Sequence, residues 1–552
     1  MTDTQPGRQR EAVSNPTRDP MRDGLAAGWK HIDASRLQAD TMLEADVVII
    51  GSGAGGGIAA ELLSDAGLKV ILVEEGPLMT TSDFRMRESE AYPQLYQESA
   101  ARKTVDKAIT ILQGRCVGGS TTVNWTSSFR TPPTTLAYWQ EALGLRQLSV
   151  ESMAPWFAAM EDRLGVRPWP VEPNANNGLL AQGAEKIGVP THVIPRNVRG
   201  CWNLGYCGMG CPIGAKQSML VTSIPAALAR GAVLISRLRA DRLIFSPQQR
   251  IVGLKGLAMQ ADGVRPSRIN VRIRARHFVL AGGAVGSPAL LLRSKAPDPH
   301  GLLGQRTFLH PTLVSAGVFS QRVDGYAGAP QTIYSDHYLE QFAVDGPLGF
   351  KLETPPLHPV LYSTTLQGFG AQHADKMRDF PHAQVLIALV RDGFHPQSLG
   401  GRVRLRSDGS PALDYPLNEV FWEAARRALL AMAEIQFAAG AKRVTPVHEG
   451  TLGYSSWAEA KRGIADLPLK PLACRIVSAH VMGGCAMGAT PERGVVDPRG
   501  RHFQIENLTV CDGSLFPTSI GANPQLSIYG LAARNISLLA AELQNRPALA
   551  IP

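Results

Sequence analysis

The sequence predicts an α/β protein: a Rossmann-like domain on a parallel sheet, interrupted by a second domain with an antiparallel sheet. Three observations lead there. Residues 45–63, A-D-V-V-I-I-G-S-G-A-G-G-G-I-A-A-E-L-L, pass from a short apolar strand through a glycine turn into a helix. Two further apolar runs end in small residues, Phe278-Val279-Leu280-Ala281-Gly282-Gly283 and Leu508-Thr509-Val510-Cys511-Asp512-Gly513, and suit the same sheet. Between them, residues 320–470 change texture, with aromatics, prolines and alternating segments.

The first stretch carries the most chemistry. Residues 47–50 form the apolar run of a strand buried on both faces, and Gly51, Gly53 and Gly56 give G-x-G-x-x-G. Gly51 makes the tight turn, Gly53 lets backbone approach a pyrophosphate, and Gly56 lets helix and strand pack closely. The helix N-terminus offers free N–H groups to the phosphates. A second apolar strand, 69–73, ends in Glu74, where an acid that binds a ribose is expected.

A polar segment runs to Lys107, followed by G-R-C-V-G-G-S-T-T-V-N at 114–124, whose glycine pair lets backbone press against a flat or anionic ligand. Residues 131–200 read as a helical insertion, 201–214 as a Cys/Gly loop, and 221–230 as a helix. Short strands are expected at 233–235 and 243–245. Residues 268–276 alternate Arg268, Arg272, Arg274 and Arg276 against Ile269, Val271, Ile273 and Ala275, the pattern of a half-buried strand with a solvated face. A helix at 289–293, strands at 383–390 and 403–406, and a helix at 420–438 complete the outline.

Composition narrows the classes. With 552 residues, 44% hydrophobic and 19% charged, the chain has material for two to four domains and a large core. The net charge of +9 is scattered, which argues against nucleic acid as a partner. No window approaches the apolar length of a membrane span. Residues 1–40 are polar and lack an export signal, so a flexible arm and a cytoplasmic location are expected unless a partner carries the protein out. Seven cysteines, an odd number, do not suggest a disulfide framework.

Four segments together resemble the glucose–methanol–choline (GMC) family of FAD-dependent oxidoreductases. They are the G-S-G-A-G-G turn with Glu74, the loop 114–124, A-G-G-A-V-G-S-P-A-L-L-L at 281–292, and the pair S-A-H-V-M-G-G-C-A-M-G and G-A-N-P-Q-L-S-I-Y-G-L-A near the end. The resemblance implies FAD, with an architecture like that of p-hydroxybenzoate hydroxylase. It places the FAD-binding domain at 41–130, 212–319 and 475–552, and the substrate-binding domain at 131–211 and 320–474. By the same resemblance Gly51, Ser52, Gly53 and Gly56 hold the pyrophosphate and Glu74 the adenosine ribose. Gly118, Gly119, Ser120 and Asn124 lie along the isoalloxazine and ribityl, Asp512 and Gly513 approach the phosphate and ribityl side, and Asn523 and Pro524 reach the pyrimidine end. Thr121 and Thr122 replace the commoner serines of that loop.

Alcohol oxidation by hydride transfer to flavin N5 needs a base for the hydroxyl proton, and imidazole suits it. His480 stands where the family places that base, and Asn523 where it places a partner that hydrogen-bonds the forming alkoxide. His310, in F-L-H-P, matches a family loop and reads as structural or peripheral to the flavin.

Cys201, Cys207 and Cys211, spaced C-x5-C-x3-C among glycines, resemble the loop that carries a [3Fe-4S] cluster in bacterial membrane-linked sugar dehydrogenases of the family. Two readings stand: a cluster that passes electrons to a protein or quinone acceptor, or reduced structural thiols in an oxygen-using alcohol oxidase without a cluster, since related long-chain alcohol oxidases also carry Cys/Gly-rich loops here. Cys116, Cys474, Cys485 and Cys511 read as small packers. The substrate is expected to be an alcohol, apolar or sugar-like. A redox-silent cyanohydrin lyase and a non-catalytic flavoprotein are the readings from other classes.

Overall fold

The structure is a computed structural model and describes residues 19–546. Eight strands make the first sheet: β1 (Lys30–Asp33), β2 (Thr41–Ile50), β3 (Val70–Val73), β4 (Val233–Ser236), β5 (Leu238–Phe245), β6 (Ile251–Met259), β7 (Pro266–Leu280) and β8 (Leu508–Val510). Across the sheet β1, β4, β3, β2 and β7 lie side by side and parallel. β8 joins β7 in parallel, and β6 and β5 extend the sheet as antiparallel neighbours. The α/β, Rossmann-like class is borne out.

β2 ends in four buried residues because the helix Ala54–Asp65 and its neighbours cover that part of the sheet. β7 joins two segments that read separately in sequence. Its residues 271–280 keep register with β2, from Val271 opposite Thr41 to Leu280 opposite Ile50. Its arginine-bearing half alternates exposed and covered, and its last four residues are fully buried. The residues of one strand thus pass from a solvated region into the core.

Two expectations need correction. Residues 1–40 are not all a loose arm. The helix Pro20–Ala26 is capped by Asp19, whose carboxylate also accepts the Ser82 N–H at 2.9 Å, and β1 extends the sheet. These elements are short and largely polar, so no apolar periodicity announced them; residues 1–18 lie outside the described residues. The domain boundaries also shift. Ile109–Ile111, Thr312–Val318 and Ile476–Ser478, which fell in the pieces 41–130, 212–319 and 475–552, belong to the second sheet. An apolar run such as T-L-V-S-A-G-V fits a buried strand of either sheet.

That second sheet is ordered 109–111, 476–478, 312–318, 383–390, 350–353, 333–335 and 192–193, with 443–446 also pairing to 312–318. Apart from the parallel pair 109–111 and 476–478, its strands are antiparallel. The helix Glu419–Ala438 covers one face, meeting Leu313, Leu386, Ala388 and Val390. The other face carries Val314, Ala316, Val385, Ile387 and Leu389, and it fronts a cavity. Period-two alternation divides the strands between the helix and that cavity. Among the described residues, no helix is long and apolar enough to cross a membrane.

Candidate active site

A cavity of about 900 Å³ runs from the turn 51–55, at the carboxyl edge of the first sheet, to the open face of the second. Open α/β sheets bind their ligands at that edge.

At the first end, Gly51 has φ of +105°, and a Cβ there would lie 2.2 Å from the Ala281 carbonyl oxygen. A Cβ on Gly56 would lie 1.9 Å from the Gly51 oxygen, so strand and helix meet without room for a side chain. Gly53 faces open space, its nearest neighbour the Gly119 Cα at 3.9 Å from where a Cβ would stand. No side chain caps the helix Ala54–Asp65, which leaves its first N–H groups to the cavity.

Glu74 is buried, and burial pushes its carboxyl pKa up while hydrogen bonds pull it back. One oxygen accepts the Ser52 N–H at 3.1 Å and hydroxyl at 2.5 Å, and the other accepts the Gly76 N–H at 2.9 Å. Ser52 Oγ in turn accepts the Gly118 N–H at 3.0 Å. Glu74 therefore also ties the glycine turn to the loop 114–124, and its remaining lone pairs leave capacity for a ribose. Asp512, likewise buried, accepts from Gly283 N–H at 2.8 Å and from Ser287 hydroxyl at 2.5 Å, so it caps the helix Gly283–Arg293. Burial raises its pKa too. Gly119, Ser120, Asn124, Gly513 and Pro524 line the same cavity. Ser120 sits exposed, its Oγ taking the Gly114 N–H, and Asn124 donates to Gln525 Oε1 at 2.7 Å.

His480 presents one side to the cavity and is otherwise enclosed by protein. Desolvation, and then the nearby Lys351 cation, push its pKa down to about 3, so the ring is neutral at ordinary pH. Its Nδ1 lies 3.2 Å from His310 Nδ1, with the rings edge to face. His310 is buried, and its Nε2 accepts the Gly521 N–H at 3.1 Å. The proton of a neutral His310 is then on Nδ1, pointing at His480. His310 is thus the direct partner of His480.

Asn523 is buried and lines the cavity. Behind it stand Lys351 and Glu353, a buried ion pair with 3.3 Å between Nζ and Oε1. Neither was singled out from the sequence. The visible signal was a lysine and an acid two residues apart within F-K-L-E, an otherwise apolar strand.

The three loop cysteines are free and half-buried. Among the described residues, no group of three His, Cys, Asp or Glu side chains is arranged to hold a metal ion. Beside the loop stand two buried cations, and no carboxylate among the described residues pairs with either. Arg196 donates to Thr126 Oγ1 at 2.7 Å and to Cys207 Sγ at 3.6 Å, while its Nη1 is buried without a partner. Lys216 Nζ donates to the carbonyls of Thr122, Asn124 and Cys207 at 2.8, 2.6 and 2.7 Å, joining the loop 114–124 to the cysteine loop.

Two family models described as GMC oxidoreductase match residues 92–312 and 396–532, and one described as an FAD binding domain matches 46–87. An uncharacterized GMC-type oxidoreductase of Mycobacterium tuberculosis is 32% identical over 523 residues, covering 92% of this chain and 79% of that protein. The chain belongs to the GMC oxidoreductase family. A long-chain-alcohol oxidase of Arabidopsis thaliana is 30% identical over 510 residues, covering 89% of this chain and 68% of the relative. Pyridoxine 4-oxidase from Mesorbium loti superposes with a TM-score of 0.66 at 21% identity, over 89% of this chain and 98% of that one. An Aspergillus oryzae formate oxidase gives 0.65 at 15%, over 91% and 98%. These two structures share the GMC fold. The protein is an FAD-binding oxidoreductase of that family, and the open space at Gly53, with the uncapped helix behind it, fits the dinucleotide.

Proposed function

We propose that this GMC oxidoreductase oxidises an alcohol with an apolar body, its carbinol group set between His480 and Asn523. The observation that carries this is the junction of two unlike walls in one cavity. Glycines and uncapped helix ends form one wall; the other is the apolar face of Val314, Ala316, Val385, Ile387 and Leu389. Such a wall takes alkyl or ring carbon, and the long-chain-alcohol oxidase among the relatives agrees with it.

Gly51, Ser52, Gly53 and Gly56 would hold the pyrophosphate, Glu74 the ribose, and Asp512 and Gly513 the ribityl side. Gly118, Gly119, Ser120 and Asn124 would lie along the ring, with Asn523 and Pro524 at its pyrimidine end. The flavin, when bound, supplies the hydride acceptor. The chain supplies the proton acceptor, Nε2 of His480. Base action there calls for the tautomers with His480 protonated on Nδ1 and His310 on Nε2, which gives up the Gly521 contact. Asn523 holds the oxygen as it becomes negative. The helix Gln525–Leu543 adds its uncapped N-terminus at that end of the cavity.

The cysteine loop supports a second element of the reading, a dehydrogenase that passes electrons onward. Two buried cations with no acid partner favour an anionic occupant. A [3Fe-4S] cluster, if bound, would be held by Cys201, Cys207 and Cys211, and it would supply one-electron transfer to a protein or quinone acceptor. The seven free cysteines fit a reducing compartment, the cytoplasm.

One experiment tests both parts. An alcohol panel, from short to long-chain and ring alcohols plus sugars, is mixed anaerobically with the purified holoprotein while the flavin band is followed. Long or ring alcohols are expected to bleach it fastest, and no bleaching by any alcohol removes the reading. Iron and sulfide analysis with EPR of the same sample is expected to find a three-iron centre. Iron-free protein that turns over with oxygen leaves an oxidase with structural thiols.

A further inference from the structure

We propose that Lys351 and Glu353 fix the orientation of the Asn523 amide, and through it act as positioning residues for the alcohol oxygen. The proposal rests on the role given to Asn523 above.

Lys351 and Glu353 lie two residues apart on the strand Phe350–Glu353 and so share a face. Register sets Lys351 opposite Leu389 and Glu353 opposite Ile387, both of which line the cavity, so the charged pair is on the cavity side of the sheet. Yet the two side chains are only 3% and 0% exposed, and neither lines the cavity, whereas Asn523 and Gln331 do. An otherwise apolar sheet face thus carries one buried charge pair fronted by two amides. Burying such a pair is unfavourable unless its hydrogen bonds are made, so packing alone does not account for it.

The bonds made are specific. Lys351 Nζ lies 3.4 Å from Asn523 Oδ1, while Asn523 Nδ2 donates to Glu353 Oε2 at 3.2 Å. Turning the amide over would set its oxygen against the carboxylate and its NH2 against the ammonium, two repulsions in place of two attractions. The pair is held in turn. Gln331 Nε2 donates to Glu353 Oε2 at 2.5 Å, and Ser127 hydroxyl donates to Gln331 Oε1 at 2.8 Å. Lys351 Nζ stands 3.1 Å from the Phe129 ring centre and 4.3 Å from that of Tyr334. With one N–H of Asn523 bound to Glu353, its other N–H remains for a ligand oxygen in the cavity.

A double-mutant cycle on the holoprotein tests this. Lys351→Met/Glu353→Leu removes both charges together, and Glu353→Gln is the milder variant. Each is made in the wild-type and the Asn523→Ala backgrounds. In the wild-type background we expect the limiting rate of flavin reduction to fall about 10- to 100-fold, with KM little changed and FAD retained. In the Asn523→Ala background Glu353→Gln, which leaves the Lys351 cation beside His480, is expected to shift the rate less than about twofold, since it acts through a group already removed. Equal slowing by Glu353→Gln in both backgrounds, or a wild-type rate in Glu353→Gln, overturns the proposal. The side-chain amide signal of Asn523 in 15N NMR gives a readout without turnover. It is expected to broaden or split in both variants, and an unchanged signal rejects the fixed orientation even where the alcohol panel has already failed.

Discussion

At the scale of single residues, the base role proposed for His480 can be tested apart from cofactor binding. It touches the cavity but makes no hydrogen bond to the glycine turn, so His480→Ala is expected to keep its FAD. Loss of the proton acceptor should slow flavin reduction by alcohol by about 10²- to 10⁴-fold. Stopped-flow reduction within a few-fold of wild type would show that another group takes the proton. His480 and Glu74 could be singled out from the sequence because each sits in a local motif. Lys351 and Glu353 could not: their meaning depends on register against residues 387–389 and on a loop some 170 positions away. The role of His310 was half legible, since a motif placed it near the flavin while only the fold shows its 3.2 Å contact with His480.

At the scale of elements, the glycine turn is the joint on which cofactor loading is expected to depend. Gly56→Val would thrust a branched side chain at the Gly51 oxygen, with the Ala281 Cβ only 3.1 Å from the new Cβ. We expect purified Gly56→Val protein to be colourless, with flavin absorbance below about one tenth of wild type, because overpacking at a backbone contact is relieved only by moving the strand or helix. A yellow, stoichiometrically loaded variant would contradict the close packing. Strand–turn–helix units of this kind are legible because turn chemistry and apolar period agree locally. The short N-terminal helix and β1 were not, because neither carries an apolar face long enough to register. β7 appeared in the sequence as two pieces because its period changes midway, from alternating to fully buried.

At the scale of the whole molecule, acid should loosen the fold. His277, His310 and His502 are buried, and burial depresses all three: His277 to about 3, His502 to about 4, and His310 well below its usual value. The unfolded chain takes up these protons near pH 6.5, whereas the folded chain resists until far lower pH. The stabilisation is therefore complete above about pH 6.5 and is lost as pH falls towards the folded values, by on the order of 1–2 kcal/mol per ring between pH 6.5 and 5. Buried Glu74, Asp392 and Asp512 have raised pKa values and work in the opposite direction. With the rings dominant, the holoprotein's Tm should be lower at pH 5 than at pH 7, and a Tm unchanged or higher at pH 5 would refute that balance. The two-domain plan was visible in the change of texture near residue 320. Its borders were not, because β-rich segments of both sheets are equally apolar and only pairing assigns them.

The last strand of the first sheet, β8, pairs with β7, and the helix Ala54–Asp65 leans on the helix Gln525–Leu543. A growing polypeptide therefore carries its glycine turn for more than four hundred residues before Asp512, Asn523 and that final helix exist. Until then the half-built site exposes apolar surface with nothing to cover it. Colour should therefore come only once the helix Gln525–Leu543 has been made and packed.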